Sequence, residues 1–341
     1  MGKLAAILAL TAISGTVIAH HSQVGLFDSR STVEINGVVS RVNWRNPHGQ
    51  ILIDVTNEDG SVTEWDAETA SISVLRIRGI DPGDSVQVGD RVTIAGSPSV
   101  RNRPQILATS MLLADGYEFT FGSEEAYFPA GKSGRIYGAP VIEADVARAR
   151  AAADGIFRVW STIMSDPDQF PMFKGGYPLT AAGQAGADAF DPRDNSLLRC
   201  GTKGQPLIMI TPLPIDFVRV DDTIELRIEE YDSLRVVHMN PDTPAPDEYT
   251  LMGFSKGHFE ENVLVVETDH IAAGYFDHEG VPMSEQVRTV ERFSPNADYT
   301  RLDYELTTTD PVNFSEAFTL KRHFVWKPEM SVHPYECLDR F

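Results

Sequence analysis

A chain of 341 residues, 42% hydrophobic and 9% aromatic, is long enough for two cores and too apolar to be disordered throughout. Its formal net charge of −20 makes nucleic acid and anionic membrane surfaces poor partners and favours cationic or neutral ligands. The acidity is uneven, with 8 Lys/Arg against 12 Asp/Glu over His20 to Asp115 and 20 against 37 over Gly116 to Phe341.

Residues 1–19 read as a signal peptide. Lys3 precedes an apolar run from Leu4 to Ile13, and Val17-Ile18-Ala19 places small or β-branched residues where a signal peptidase cuts. No cysteine stands at the cut to carry a lipid, and no later stretch reaches the roughly eighteen apolar residues of a membrane span. The expectation is an exported, soluble protein, periplasmic or secreted. Cys200 and Cys337 are the two cysteines, and an oxidising compartment favours pairing them over leaving two buried thiols.

The mature chain would open His20-His21-Ser22. Strand-like runs follow at Thr32 to Asn43, Gly49 to Thr56 and Ser61 to Ala67, the last two joined by the turn Asn57-Glu58-Asp59-Gly60. A short helical piece at Ala70 to Arg78 precedes a strand over Arg91 to Gly96 and another over Gln105 to Leu113. Five strands with one helix after the third predict a small OB-like barrel over 20–115. Gly, Pro and Ser then mark 116–140 as a linker. An Ala-rich helix is expected from Glu143 to Ala153, and a second from an N-cap at Thr180 to Ala189.

From Leu207 the chain reads as a meander of strands: Leu207 to Ile210, Asp216 to Val220, Thr223 to Glu230, Leu234 to Met239, Thr250 to His258, Asn262 to Thr268, Gln286 to Phe293, Thr300 to Thr308 and Phe318 to Trp326. Short connections force antiparallel neighbours, so 141–341 is predicted to close into an up-and-down, calycin-like barrel with room for one small ligand. The protein as a whole is expected to be mainly β. Gly253-Phe254-Ser255-Lys256-Gly257 matches the Gly-x-Ser-x-Gly pattern of a nucleophile elbow, but a strand follows where an elbow needs a helix, which places Ser255 on a hairpin arm.

Two resemblances accompany this reading. His20-His21-Ser22, Phe27-Asp28, Asn46-Pro47-His48, Trp65 and Gly89-Asp90-Arg91-Val92 resemble a family of exported bacterial proteins of unknown function with an HHS start and an NPH motif. Leu179-Thr180, Cys200, Gly204-Gln205-Pro206, Gly253 to Gly257, Leu264-Val265-Val266, Glu291-Arg292-Phe293, Asp310-Pro311 and Glu336-Cys337 resemble a second uncharacterised bacterial group. Where that group carries Trp-Glu-Gly-Asp, this chain has Phe259-Glu260-Glu261-Asn262. The resemblances imply export and a division into two parts.

Three constellations could carry chemistry. Cleavage after Ala19 would free the amine of His20 to chelate a metal with its own imidazole, and His21 or His48 would complete a nitrogen site suited to copper; the plain alternative is a solvated terminus. In the large barrel, alternation puts ionisable side chains among apolar ones. An interior holding Glu230, His238, Glu291 and Tyr304 would offer general acids and bases, with Arg235 and Arg292 as ligand-binding cations, the alternative being an ordinary Glu291–Arg235 ion pair. His258, His270 and His278 stand near Asp269, Asp277 and Glu279 without the spacing of a zinc site, and read as loop residues. The expected function is binding of a small, largely apolar molecule. A cofactor-free lyase or isomerase, or a structural or protein-binding envelope module, are the alternatives.

Overall fold

The computed structural model describes residues 26–78, 82–121, 126–129, 131, 143–163, 172–173, 175–191, 200–272 and 274–337. The expected signal peptide 1–19, His20, His21 and most of the expected linker lie outside them. The described chain is mainly β, with two barrels and a few short helices.

The first barrel uses β1 (Val33–Asn43), β2 (Gln50–Thr56), β3 (Val62–Glu68), β4 (Arg91–Pro98) and β5 (Gln105–Leu113), with α1 (Ile72–Ile77) between β3 and β4. The sheet runs β3-β2-β1-β4-β5 and closes where β3 pairs in parallel with β5, Asp66 to Glu68 against Gln105 to Leu107. The alternation read in the sequence sends Ile35, Val39, Ile51, Ile53, Ile94 and Ile106 inward, and Leu75 of α1 seals the core. Ser71 caps α1 by accepting from Val74 N at 3.0 Å. One further strand, β6 (Glu118–Thr120), pairs with β5 inside the span expected to be linker.

The second barrel has nine strands: β7 (Val159–Ser161), β8 (Ile215–Val220), β9 (Thr223–Ile228), β10 (Ser233–His238), β11 (Phe254–Glu260), β12 (Val263–Asp269), β13 (Arg288–Pro295), β14 (Arg301–Thr309) and β15 (Phe318–Trp326). It is ordered β10-β11-β12-β13-β14-β15-β7-β8-β9 and closes from β9 back to β10. Strands that alternate direction around a ring must be even in number, so a nine-stranded ring needs one parallel pair. That pair is β10 with β11, Val237 beside Ser255, reached through the long excursion 239–253. Strict up-and-down order therefore fails at this one seam. The two predicted helices are present as α2 (Glu143–Ala152) and α3 (Ala181–Asp188), the latter capped by Thr180 as expected.

Registers give the barrel two distinct ends. The β8–β9, β11–β12 and β13–β14 turns, the end of β15 and the start of β7 share one end, here called the mouth. At the other end, Leu207–Ile210 forms a short 3-10 helix rather than the expected strand, with all four side chains buried. An apolar run of four with no polar alternation does not distinguish strand from buried helix. At that end Phe276, Phe314 and Phe318 pack against one another with centroids 4.8 to 5.5 Å apart.

The two barrels meet at a built joint. Asn46 is buried, donating to Tyr335 O at 2.6 Å and to Ser73 Oγ at 3.0 Å, while Cys337 bridges to Asn46 backbone to backbone. Ile77, Leu213 and Tyr335 form a small apolar cluster there. Cys337 is disulfide-bonded to Cys200, as the sequence led us to expect, so the last described residue is tied both to the small barrel and to the start of the large one.

Candidate functional site

The sequence-derived site residues distribute unevenly in the large barrel. Arg235, Glu291 and Tyr304 are buried in its interior. Arg235 Nη1 donates to Glu291 Oε1 at 3.0 Å and Nη2 to Glu291 Oε2, Nη2 also to Thr268 Oγ1 at 2.7 Å, and Nε to Ser255 Oγ at 3.1 Å. Tyr304 OH donates to Glu291 Oε1 at 2.7 Å. Burial first, and then the Glu291 carboxylate, push the Tyr304 phenol well above its ordinary value. Arg235 is 1% exposed and Glu291 and Tyr304 0%, in an interior otherwise filled by Trp160, Phe217, Phe293 and Phe324. This is the ordinary ion pair weighed above, extended into a network whose members satisfy one another.

Two members of the expected interior cluster, His238 and Glu230, lie outside it, and Arg292 and His48 stand elsewhere. His238 lies on the outer face, stacked on Phe254 at 5.1 Å, because it shares parity with exposed Leu234 rather than with buried Arg235. Glu230 sits beyond β9, where a turn with positive φ at Tyr231 and Asp232 diverts the chain, and takes a 2.6 Å ion pair from buried Lys203. Arg292 faces outward and pairs with Glu260 at 2.7 Å. His48 places Nδ1 3.7 Å from Glu68 Oε1 on the small barrel. Among the described residues the three histidines do not converge: His258 lies on β11 rather than in a loop, and His270 pairs with its neighbour Asp269 at 2.6 Å.

The Gly-x-Ser-x-Gly pattern has a packing explanation. Gly253 has φ +69°, which turns the chain into β11, and a Cβ there would lie 2.7 Å from Asp269 O. At Gly257 a Cβ would lie 2.6 Å from Val237 Cγ1 across the parallel β10–β11 pair. Ser255 is 1% exposed, with its hydroxyl held by Arg235 and, at 2.9 Å, by Thr268.

Open volume appears at the mouth. β7 is three residues long, whereas its neighbours β8 and β15 have six and nine, so the wall is incomplete beyond Val159. The gap leaves a groove of about 350 Å³ between the strand ends and the last turn of α2, which contributes only Ala149, Ala152 and the following Ala153. Its floor includes Phe217, and its sides carry Phe157, Arg158, Arg219 and Trp326. Arg158 lies over the Trp326 ring at 4.3 Å and Tyr299 at 5.3 Å, and Arg219 over Phe157 at 4.2 Å. Desolvation lowers the Arg158 pKa and raises that of Asp216, the carboxylate on the same wall. Sequence reasoning missed this site. Arg158 and Trp326 are 168 positions apart, and the only signal was the Ala-rich helix, whose small side chains leave the space unfilled.

Comparison with the curated proteins gives no match. A family model described as a family of unknown function, DUF6152, matches residues 8–105, so from the N-terminal region to the first residue of β5 the chain is similar to that family.

Proposed function

We propose that the protein is exported and that its large barrel binds a small, largely apolar molecule at its mouth. The observation that carries this reading is the groove beside short β7. Its volume falls in the range of small-molecule sites, and it occupies the part of a β-barrel where such sites are commonly built. Export is supported by the N-terminal apolar run and the Cys200–Cys337 disulfide; among the described residues no helix is long and apolar enough to cross a membrane. Acid–base catalysis by Glu291 and Tyr304 draws less support, because both are locked in mutual hydrogen bonds where substrate has no access.

A copper site at His20 and His21, completed by His48, forms part of the same proposal. Its support is the histidine at the first position after the expected cleavage and the approach of Glu68 to His48 Nδ1, the side from which a carboxylate orients an imidazole ligand.

The binding reading is tested by incubating the mature protein with a cell extract, repurifying it and identifying bound small molecules by mass spectrometry, in parallel with Ala152→Trp. Ala152 is exposed on α2 and lines the groove, so the indole fills the site without entering a core. A molecule carried by the wild type and absent from the variant supports the reading. Identical extracts from both overturn it.

A further inference from the structure

Resting on the reading of the mouth as a ligand site, we propose that its ligand is an organic anion: a planar or apolar body seated against Trp326 and Phe157, with a carboxylate or sulfonate taken by Arg158 and Arg219. The protein as a whole argues for the opposite preference, since its net charge is −20. The groove reverses that locally, because Arg158, Arg219 and Lys327 line it against the single carboxylate of Asp216.

The two guanidinium groups are arranged to receive an anion rather than to neutralise a protein carboxylate. Among the described residues neither forms an ion pair, although Asp154 lies close enough to favour the charged form of Arg158. Each instead covers an aromatic ring, Arg158 on Trp326 and Arg219 on Phe157. Stacking uses the face of a guanidinium and leaves its N–H groups in the plane, where they match the two oxygens of a carboxylate. Arg158 spends one donor on Tyr299 O at 3.1 Å, and its Nε is buried with no hydrogen-bond partner among the described residues. A buried donor without a partner is costly unless something outside the described residues supplies the acceptor.

The backbone sets the two arginines side by side. Phe217 N donates to Arg158 O at 3.3 Å, so Arg158 stands across from Phe217, and Arg219 follows two residues later on the same face of β8. Phe157 is the clamp between them and the rest of the mouth. It touches Arg219 on one side and Phe259, near the mouth end of β11, on the other, with centroids 6.4 Å apart for the ring pair. An aromatic or alicyclic body therefore has apolar walls on two sides and paired cationic edges at one end.

A matched pair of fluorescent probes tests this. 8-Anilinonaphthalene-1-sulfonate and N-phenyl-1-naphthylamine share one aromatic body and differ in the sulfonate. Their affinities for the full mature protein should differ by about tenfold or more in favour of the sulfonate, the discrimination expected of one charge-assisted hydrogen-bonded pair. Arg219→Met should erase most of that preference and leave the neutral amine within about threefold. Arg158→Met should do the same, with near-ultraviolet circular dichroism checking the fold, because Arg158 also holds Tyr299 O. The Arg219 side chain makes no hydrogen bond among the described residues, so its variant is the cleaner arm. Ala152→Trp should abolish binding of both probes. Equal affinity for the two probes, with both lost in Ala152→Trp, would overturn the anion preference and leave the mouth as a ligand site. Sulfonate binding that survives Ala152→Trp would place it elsewhere and refute the inference. If the wild type binds neither probe, the reading of the mouth itself fails.

Discussion

Replacing Glu291 should destabilise the large barrel far more than replacing its whole network. Glu291 is 0% exposed and accepts from both terminal nitrogens of Arg235 and from the Tyr304 hydroxyl. Glu291→Leu would strand the Arg235 guanidinium in a dry interior with only the Ser255 and Thr268 hydroxyls to hold it. Breaking a buried pair in this way costs about 3–5 kcal/mol, and the unpaired tyrosine hydroxyl adds about 1–3 kcal/mol. Arg235→Met should cost a similar amount for the converse reason. The double variant Arg235→Met with Glu291→Leu leaves no buried charge at this position, so only the tyrosine penalty should remain, and adding Tyr304→Phe should recover most of it. Urea unfolding of the oxidised protein, followed by near-ultraviolet circular dichroism and fluorescence, reads these differences. The expected coupling between the two single substitutions is about 3 kcal/mol or more. A loss below about 1 kcal/mol for Glu291→Leu, or a double variant whose loss equals the sum of the singles, would show that the network is not the linked unit described here.

Four further outcomes follow from named contacts. Reducing the disulfide, or replacing Cys200 and Cys337 by Ser, opens a loop with a sequence separation of 137 and should cost up to about 5 kcal/mol in the chain-entropy model, read as a lower urea midpoint. Asn46→Ala removes the donors to Tyr335 O and Ser73 Oγ and should cost about 1–3 kcal/mol, with earlier proteolysis at the C-terminal segment. His278 is held neutral, its pKa lowered to about 3 by burial and then by Lys203, so the unfolded chain binds the extra proton between that value and 6.5. Its contribution is complete above pH 6.5 and is lost as pH falls; His278→Gln should reduce the slope of stability against pH by up to about 1.4 kcal/mol per unit in that window, and an unchanged slope would refute the assignment. For copper, a Gly residue added before His20 should abolish the terminal chelate, so equal Cu(II) affinity and spectra for extended and mature forms would remove the site.

The sequence by itself determined what depends on local periodicity and on composition. Two-residue alternation assigned the inward faces of β13 and β14 correctly, because a barrel wall has one buried side and the hydrophobic effect selects it at every second position. On β10 the same alternation separated Arg235 and Val237 from His238 but took the His238 face as inward; burial selects the Arg235 face, and the Glu291–Arg235 pair, weighed only as the alternative, is the one present. Thr180 announced its helix through a hydrogen bond that spans three residues, and two cysteines in one chain left a single pairing to consider. Tertiary structure alone decided matters that join residues distant in sequence. The nine-strand count required a parallel seam, and no periodicity in β10 or β11 encodes its neighbour's direction. Glu230 left the β9 face because two residues with positive φ follow it and Lys203 offers a charge. Asn46 reads locally as a turn residue before proline, yet its amide holds a carbonyl 289 positions away. The mouth groove exists because β7 stops short between longer neighbours and Arg158 meets Trp326 across the gap, a coincidence of strand lengths that only the closed barrel brings about.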